Sequence, residues 1–164
     1  MFKQIFERYN KKSPFTFMLL MFSEAFLVSV VALLFLDYIN PEPVREVLLL
    51  PVLILIFVGI LISPLLETFI SQTMAIFLVK KFKGSFDLQV LISTLIFLIF
   101  HFGSGLNATI VVGFIGGIYF AYTYAFILEK TNKHHLAYWL TTLSHFLRNL
   151  IAISLFLIGN KIAP

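Results

Sequence analysis

Apolar positions run through this chain in stretches of membrane-crossing length, and polar residues interrupt them at only a few places. Phe15 to Leu36 is interrupted by Ser23, Glu24 and Ser29. A hydrocarbon core about 30 Å thick takes about 20 helical residues to cross, so this stretch predicts a spanning helix. Asp37-Tyr38-Ile39-Asn40-Pro41-Glu42-Pro43 reads as a loop by its prolines. Val47 to Val79 is 33 residues long, which at about 1.5 Å each is near 50 Å of helix, too long to run straight through. A bend is expected at Gly59, Ser63 and Pro64, because proline removes a helix hydrogen bond and disfavours helical geometry before it. Asp87 is expected to cap the next helix, which runs to about Phe102 and ends in His101-Phe102-Gly103-Ser104-Gly105. Asn107 or Ala108 to Leu128 is the fourth span, with Gly113 and Gly117 four apart as a face that admits another helix closely. Leu136 to Ile158 is the last, entered by Tyr138 and Trp139 at interface level. Met1 to Lys12 places Phe2, Ile5, Phe6 and Tyr9 at helical spacing and reads as an interfacial helix. The pattern predicts an all-α, polytopic transmembrane helix bundle of about five spans plus that N-terminal interfacial helix, forming one membrane domain over residues 1–164.

Charge decides how the stretches thread. Lys3, Arg8, Lys11 and Lys12 stand at one end of the first span, and the acidic Glu42 and Glu46 flank Arg45 at the other. Lys80, Lys81 and Lys83 therefore belong with the N-terminus, and Val47 to Val79 crosses once. The positive-inside rule puts the N-terminus in the cytoplasm, and a prokaryotic plasma membrane is expected. The chain is 60% hydrophobic with a mean hydropathy of +0.98, above the 45 to 50% apolar content usual in soluble domains. No cleaved signal peptide is expected, since apolar runs recur along the whole chain. The absence of cysteine excludes disulfides, thiolate metal sites and a cysteine nucleophile. The net charge of +4 is spread over loops and termini, which leaves no basic face for nucleic acid.

Against this background a few polar residues stand out. A carboxylate at the centre of a spanning helix costs about 2.5 to 3.5 kcal/mol to insert, so Glu67 is a candidate functional group. Counted from the basic side, Glu67, His101, His145 and Asn149 all fall roughly 15 to 21 Å into the membrane. Phe97 and His101 share a helix face, as do His145 and Asn149, and Thr68 and Gln72 beside Glu67. One cluster of a carboxylate, two imidazoles and a carboxamide is geometrically allowed. Taken singly, each has a structural reading as a hydrogen-bonded core residue. Glu24 and Arg148 lie at the same depth and are expected to neutralise each other. His134 and His135 fall in the charged 129–135 loop and are expected to be solvated, and Ser104 and Thr142 lack an obvious base. One carboxylate and two histidines also form a plausible catalytic zinc set with water in the fourth position, although no His-Glu-x-x-His helix is present.

Glu67, Phe97-x-x-x-His101 and His145-x-x-x-Asn149, in this order and spacing, resemble the motifs of the CPBP family: CAAX prenyl endopeptidases and bacteriocin-processing membrane proteins, also labelled abortive-infection proteins. The resemblance covers about residues 51–158, including the glycine-and-aromatic helix Gly113 to Tyr122. The family's first motif is Glu-Glu-x-x-x-Arg. Here Thr68 stands for the second Glu and Gln72 for the Arg, an exchange of an i,i+4 ion pair for two groups that can still hydrogen-bond. The resemblance implies metal-independent and cofactor-free hydrolysis of a peptide bond by a Glu-activated water. Glu67 and His101 would hold the water, His145 and Asn149 would form the oxyanion hole, and Arg148, with Glu24, would support them. The implied substrate is a membrane-associated or lipid-modified peptide. The first-motif departure leaves open a catalytically silent member acting as immunity factor, scaffold or chaperone. A transporter is disfavoured by the lack of repeated halves.

Overall fold

The computed structural model of the chain describes residues 9–41 and 51–162, with side chains described as far as residue 158. The interfacial helix expected over Met1 to Lys12 falls mostly outside these residues, as do Glu42, Arg45 and Glu46. Five long helices make up the described part. Helix α1 (Pro14–Ile39) starts where the Ser13 side chain accepts from the Thr16 N–H at 3.1 Å, with Pro14 in the first turn where its missing N–H costs nothing. Helix α2 spans Val52–Lys81, α3 Phe86–Phe100, α4 Leu106–Thr131 and α5 His134–Ile162.

Four of these, α1, α2, α4 and α5, are long and apolar enough to cross a membrane. Helix α3 has 15 residues, about 22 Å of rise, less than a hydrocarbon core of about 30 Å. Its last turn therefore delivers His101 to an uncharged Gly-rich turn within the apolar depth. Its cap is Ser85 rather than Asp87: Ser85 has extended backbone and accepts from the Leu88 N–H at 3.2 Å. Asp87 sits inside the first turn, where its carboxylate faces the positive end of the helix dipole.

Helix α2 is continuous through Gly59, Ser63 and Pro64, where the bend is expected. Ser63 keeps helical geometry (φ −57°, ψ −52°), and two π-helical stretches, Leu55–Ile62 and Thr68–Met74, flank the short α-helical turn Ser63–Glu67. The wider i→i+5 register re-pairs carbonyls that Pro64 would otherwise orphan, and such stretches occur often at functional sites. The loop expected over 129–135 is shorter than its charge suggests. Helix α4 continues to Thr131, Asn132 turns the chain with φ 53°, and α5 begins at His134. His134 is half-buried with Nδ1 3.0 Å from the Tyr124 hydroxyl, while His135 is exposed.

The two ends of the bundle sort as the charges predict. Lys80 Nζ lies 3.7 Å from Glu129 Oε2, and Lys130 Nζ donates to the Lys12 carbonyl at 2.6 Å and to that of Asn10. At the other end Asn107 Nδ2 donates to Asp37 Oδ1 and to the Asn40 carbonyl, each at 2.9 Å. Helix α4 is the central element: 67% of its spanning window is buried against 17% for α1, whose Leu34 and Phe35 face outward. Near the basic end Phe17 of α1 stacks on Phe126 of α4 at 3.6 Å, with Tyr122 edge-on to Phe17.

Gly113 and Gly117 carry the close approach expected of them. A Cβ on Gly113 would stand 2.9 Å from His101 Cβ, and one on Gly117 3.3 Å from both Phe97 Cδ1 and the Thr94 carbonyl. Both glycines therefore press α4 against the face of α3 that carries Phe97 and His101. Gly113→Ala is expected to cost about 1 to 3 kcal/mol by overpacking. A lowered thermal midpoint is the measurement that checks it, and the atom displaced is His101 Cβ.

Candidate active site

Glu67 is the last residue of the α-helical turn between the two π-helical stretches of α2. Ser63, one turn earlier, donates a short hydrogen bond from Oγ to Glu67 Oε1 and orients the carboxyl group. The other oxygen, Oε2, lies 3.9 Å from His101 Nε2 and 3.7 Å from His145 Nε2. The Glu67 side chain keeps 21% of its surface exposed, while those of the two histidines keep 10% and 2%. The carboxylate thus stands at an opening whose inner wall is imidazole.

Each histidine is held by aromatic packing. His101 stacks on Phe97 at 4.7 Å, as the shared face of α3 predicts, and its Nδ1 lies 2.9 Å from the Phe97 carbonyl. A carbonyl only accepts, so Nδ1 carries the proton in the neutral ring and Nε2 turns a lone pair toward Glu67. Two acceptors 3.9 Å apart are too far for a direct bond and suited to a water that donates one hydrogen to each. His145, on α5, lies against the Phe120 ring at 4.4 Å and edge-on to Phe97 at 5.5 Å. Its Nδ1 has no hydrogen-bond partner among the described residues, so its Nε2 is free to carry the proton and donate.

Glu67, His101 and His145 come together from three helices. Asn149 does not join them through its amide nitrogen, which donates to the Gly59 carbonyl at 2.8 Å, about two turns from Glu67 along α2. Thr68 and Gln72 are completely buried, yet neither side chain has a partner among the described residues. They do not replace an i,i+4 ion pair with an i,i+4 hydrogen bond to each other.

The expected Glu24–Arg148 pair does not form. Glu24 accepts from the Tyr119 hydroxyl at 3.1 Å. Arg148 Nη2 donates to Ser29 Oγ at 3.0 Å and to the Val111 carbonyl at 2.7 Å, and its Cζ lies 5.8 Å from the Phe120 ring centre. The guanidinium has room because position 116 is glycine: a Cβ there would stand 1.9 Å from Arg148 Nη1. Phe120 therefore lies between His145 and Arg148, and Arg148 bridges α1, α4 and α5.

Ser63 escaped the sequence reading as a site residue, since it figures there only as part of a helix bend. The signal was its position four residues before Glu67. Ser63→Ala removes one hydrogen bond to an ionisable group, worth about 1.5 to 3 kcal/mol. It is expected to lower kcat roughly 10- to 100-fold with KM little changed, as read in steady-state cleavage kinetics.

Among the described residues no group of three or more His, Cys, Asp or Glu stands close enough together to hold a metal ion. No curated protein and no solved structure matches the chain. A family model does: the type II CAAX prenyl endopeptidase Rce1-like model matches residues 49–151, a stretch that carries Glu67, His101 and His145 and the helices that bring them together. By its motifs and by that match, this membrane-spanning chain belongs to the type II CAAX prenyl endopeptidase Rce1-like family.

Proposed function

We propose that the chain is an intramembrane endopeptidase that hydrolyses a peptide bond with water activated by Glu67. The observation that carries this reading is Glu67 Oε2 standing 3.9 Å from one imidazole Nε2 and 3.7 Å from another, in a helical bundle built to cross a membrane. Water held between Glu67 and His101 Nε2 gives a proton to the Glu67 carboxylate as its oxygen bonds to the scissile carbonyl carbon. The carbonyl oxygen becomes an oxyanion and takes a hydrogen bond from His145 Nε2–H. Asn149, whose amide nitrogen keeps a second N–H after donating to Gly59, is the further donor the motif implies. Glu67 then passes its proton to the leaving nitrogen, the C–N bond breaks, and the carboxylate is restored. Ser63 holds the carboxyl group in place throughout.

The substrate class follows from the family and the setting: a membrane-associated peptide, lipid-modified near the bond that is cut. The end carrying Lys12, Lys80 and Lys130 is read as cytoplasmic by the positive-inside rule, in a prokaryotic plasma membrane. The test is cleavage of a prenylated-cysteine peptide, and of its unprenylated twin, by the purified chain in liposomes, with products identified by mass. Cleavage of the prenylated peptide that persists in a strong chelator supports Glu-activated, metal-independent hydrolysis. Activity lost to the chelator and restored by zinc transfers the same three residues to metal catalysis. A folded chain that binds the peptide and releases no product is instead a silent member acting by binding.

A further inference from the structure

The buried faces of α2, α3 and α5 carry a run of polar side chains that the hydrolytic chemistry does not use. On α2, Thr68, Ser71 and Gln72 follow Glu67, and all three are completely buried. On α3, Ser93 and Thr94 occupy the buried face ahead of Phe97 and His101, and on α5, Thr141 and Thr142 stand about one turn before His145. Helix α2 runs toward Lys80, whereas α3 and α5 run away from that end. In all three helices these residues therefore lie on the Lys80–Glu129 side of the catalytic group. The Thr68–Met74 stretch packs against α3, α4 and α5 alike, so the polar faces converge on it.

None of these hydroxyls has a hydrogen-bond partner among the described residues, and neither does either amide atom of Gln72 or Nδ1 of His145. Hydroxyls elsewhere in the fold behave differently. Thr109 and Thr131 each donate to the carbonyl four residues back at 2.7 Å, the usual way a helical Thr is satisfied in an apolar setting. A buried amide or hydroxyl without a partner is costly, and polar atoms grouped in one buried region are the places where ordered water binds. In the last turn before the hydrolytic centre, such water would meet His145 Nδ1.

We infer that the polar region between α2, α3 and α5 on the Lys80 side of Glu67 holds a file of ordered water that supplies the hydrolytic centre. The file's purpose rests on the endopeptidase reading, whereas the water itself rests on the polar atoms alone. Gln72 is its midpoint, offering two donors and an acceptor where the family motif carries an arginine. Ser71 and Thr141 connect it to Glu67 and His145, each one turn away.

Hydroxyl radicals generated by radiolysis label side chains next to bound water whether or not these reach bulk solvent. Purified wild-type chain in detergent, irradiated in H2(18)O, is expected to incorporate oxygen-18 at Ile76, one turn beyond Gln72, and at Phe97, beside His101 and His145; both are fully buried. Incorporation there should clearly exceed that at Phe17 and Phe126, equally buried in the aromatic cluster at the basic end. Label at Phe97 alone, which the opening at Glu67 would explain, or at neither residue, overturns the inference. Gln72→Leu, similar in size and unable to hydrogen-bond, is expected to remove the label at Ile76 and lower the thermal midpoint. A raised midpoint, the result of deleting an unpaired amide from a dry core, overturns it equally. Labelling that appears as expected in a chain that cleaves no peptide upholds the water file and defeats the endopeptidase reading.

Discussion

Glu67→Gln is expected to abolish detectable cleavage while the protein folds and inserts as wild type does. Gln keeps the length of the side chain and can still accept from Ser63 Oγ, so the packing between the two π-helical stretches is preserved. What is lost, on the endopeptidase reading, is the group that takes a proton from water. General-base catalysis contributes about 10²- to 10⁴-fold to rate, and a Gln amide facing two histidines also misplaces the water, so the upper part of that range is expected. The measurement is kcat in liposomes at matched insertion, with thermal midpoints alongside. Cleavage within a few-fold of wild type would remove Glu67 from the chemistry.

His145→Ala is the second large effect, of about 10²- to 10³-fold in kcat, the scale of deleting one donor from an oxyanion hole. The geometry separates it from His101. The Phe97 carbonyl ties His101 Nδ1–H and leaves Nε2 an acceptor, whereas His145 Nδ1 has no hydrogen-bond partner among the described residues and Nε2 can donate. His145→Gln, which restores an N–H donor, is therefore expected to recover part of the lost rate. His101→Gln should recover less, because its amide must present oxygen where a ring nitrogen was held in register by stacking on Phe97. Equal recovery at both positions would erase the distinction between acceptor and donor.

The meeting of Glu67 with two histidines was legible because such residues are rare in apolar sequence. Glu67, His101 and His145 reach a common depth when counted from the basic side, at Lys80, Asp87 and His135, and that count needs only helical rise and the charge pattern. Gly113 and Gly117 were legible for a related reason: small residues four apart in an apolar helix have few uses other than a close crossing. What was hidden depends on register and orientation. Pro64 announced a bend, but the π-helical turns on either side of it arise from backbone pairing over a whole segment. Glu24 and Arg148 shared a depth without sharing a direction, since depth says nothing about azimuth around a helix. Their true partners, Tyr119 for one and Ser29 with Val111 for the other, are ordinary residues that no motif marks. Asn149 kept its motif spacing from His145 but was drawn to the Gly59 carbonyl. Ser85 took the cap from Asp87 because capping depends on extended backbone at one residue, and two neighbouring cap formers are not ranked by sequence.

The seat of Arg148 bears on how the protein is made. Helix α5 is the least apolar of the four crossing helices and carries a guanidinium that costs about 2.5 to 3.5 kcal/mol at the centre of a bilayer. The groups that receive it, Ser29 on α1 and the Val111 carbonyl and Gly116 on α4, are all synthesised earlier. A nascent chain that has emerged only as far as α4 holds a finished receptor and no ligand for it. Entry of α5 then fastens three helices at once and, in the same movement, brings His145 beside Glu67. On the endopeptidase reading, a chain that lacks α5 is therefore expected to lack hydrolytic competence.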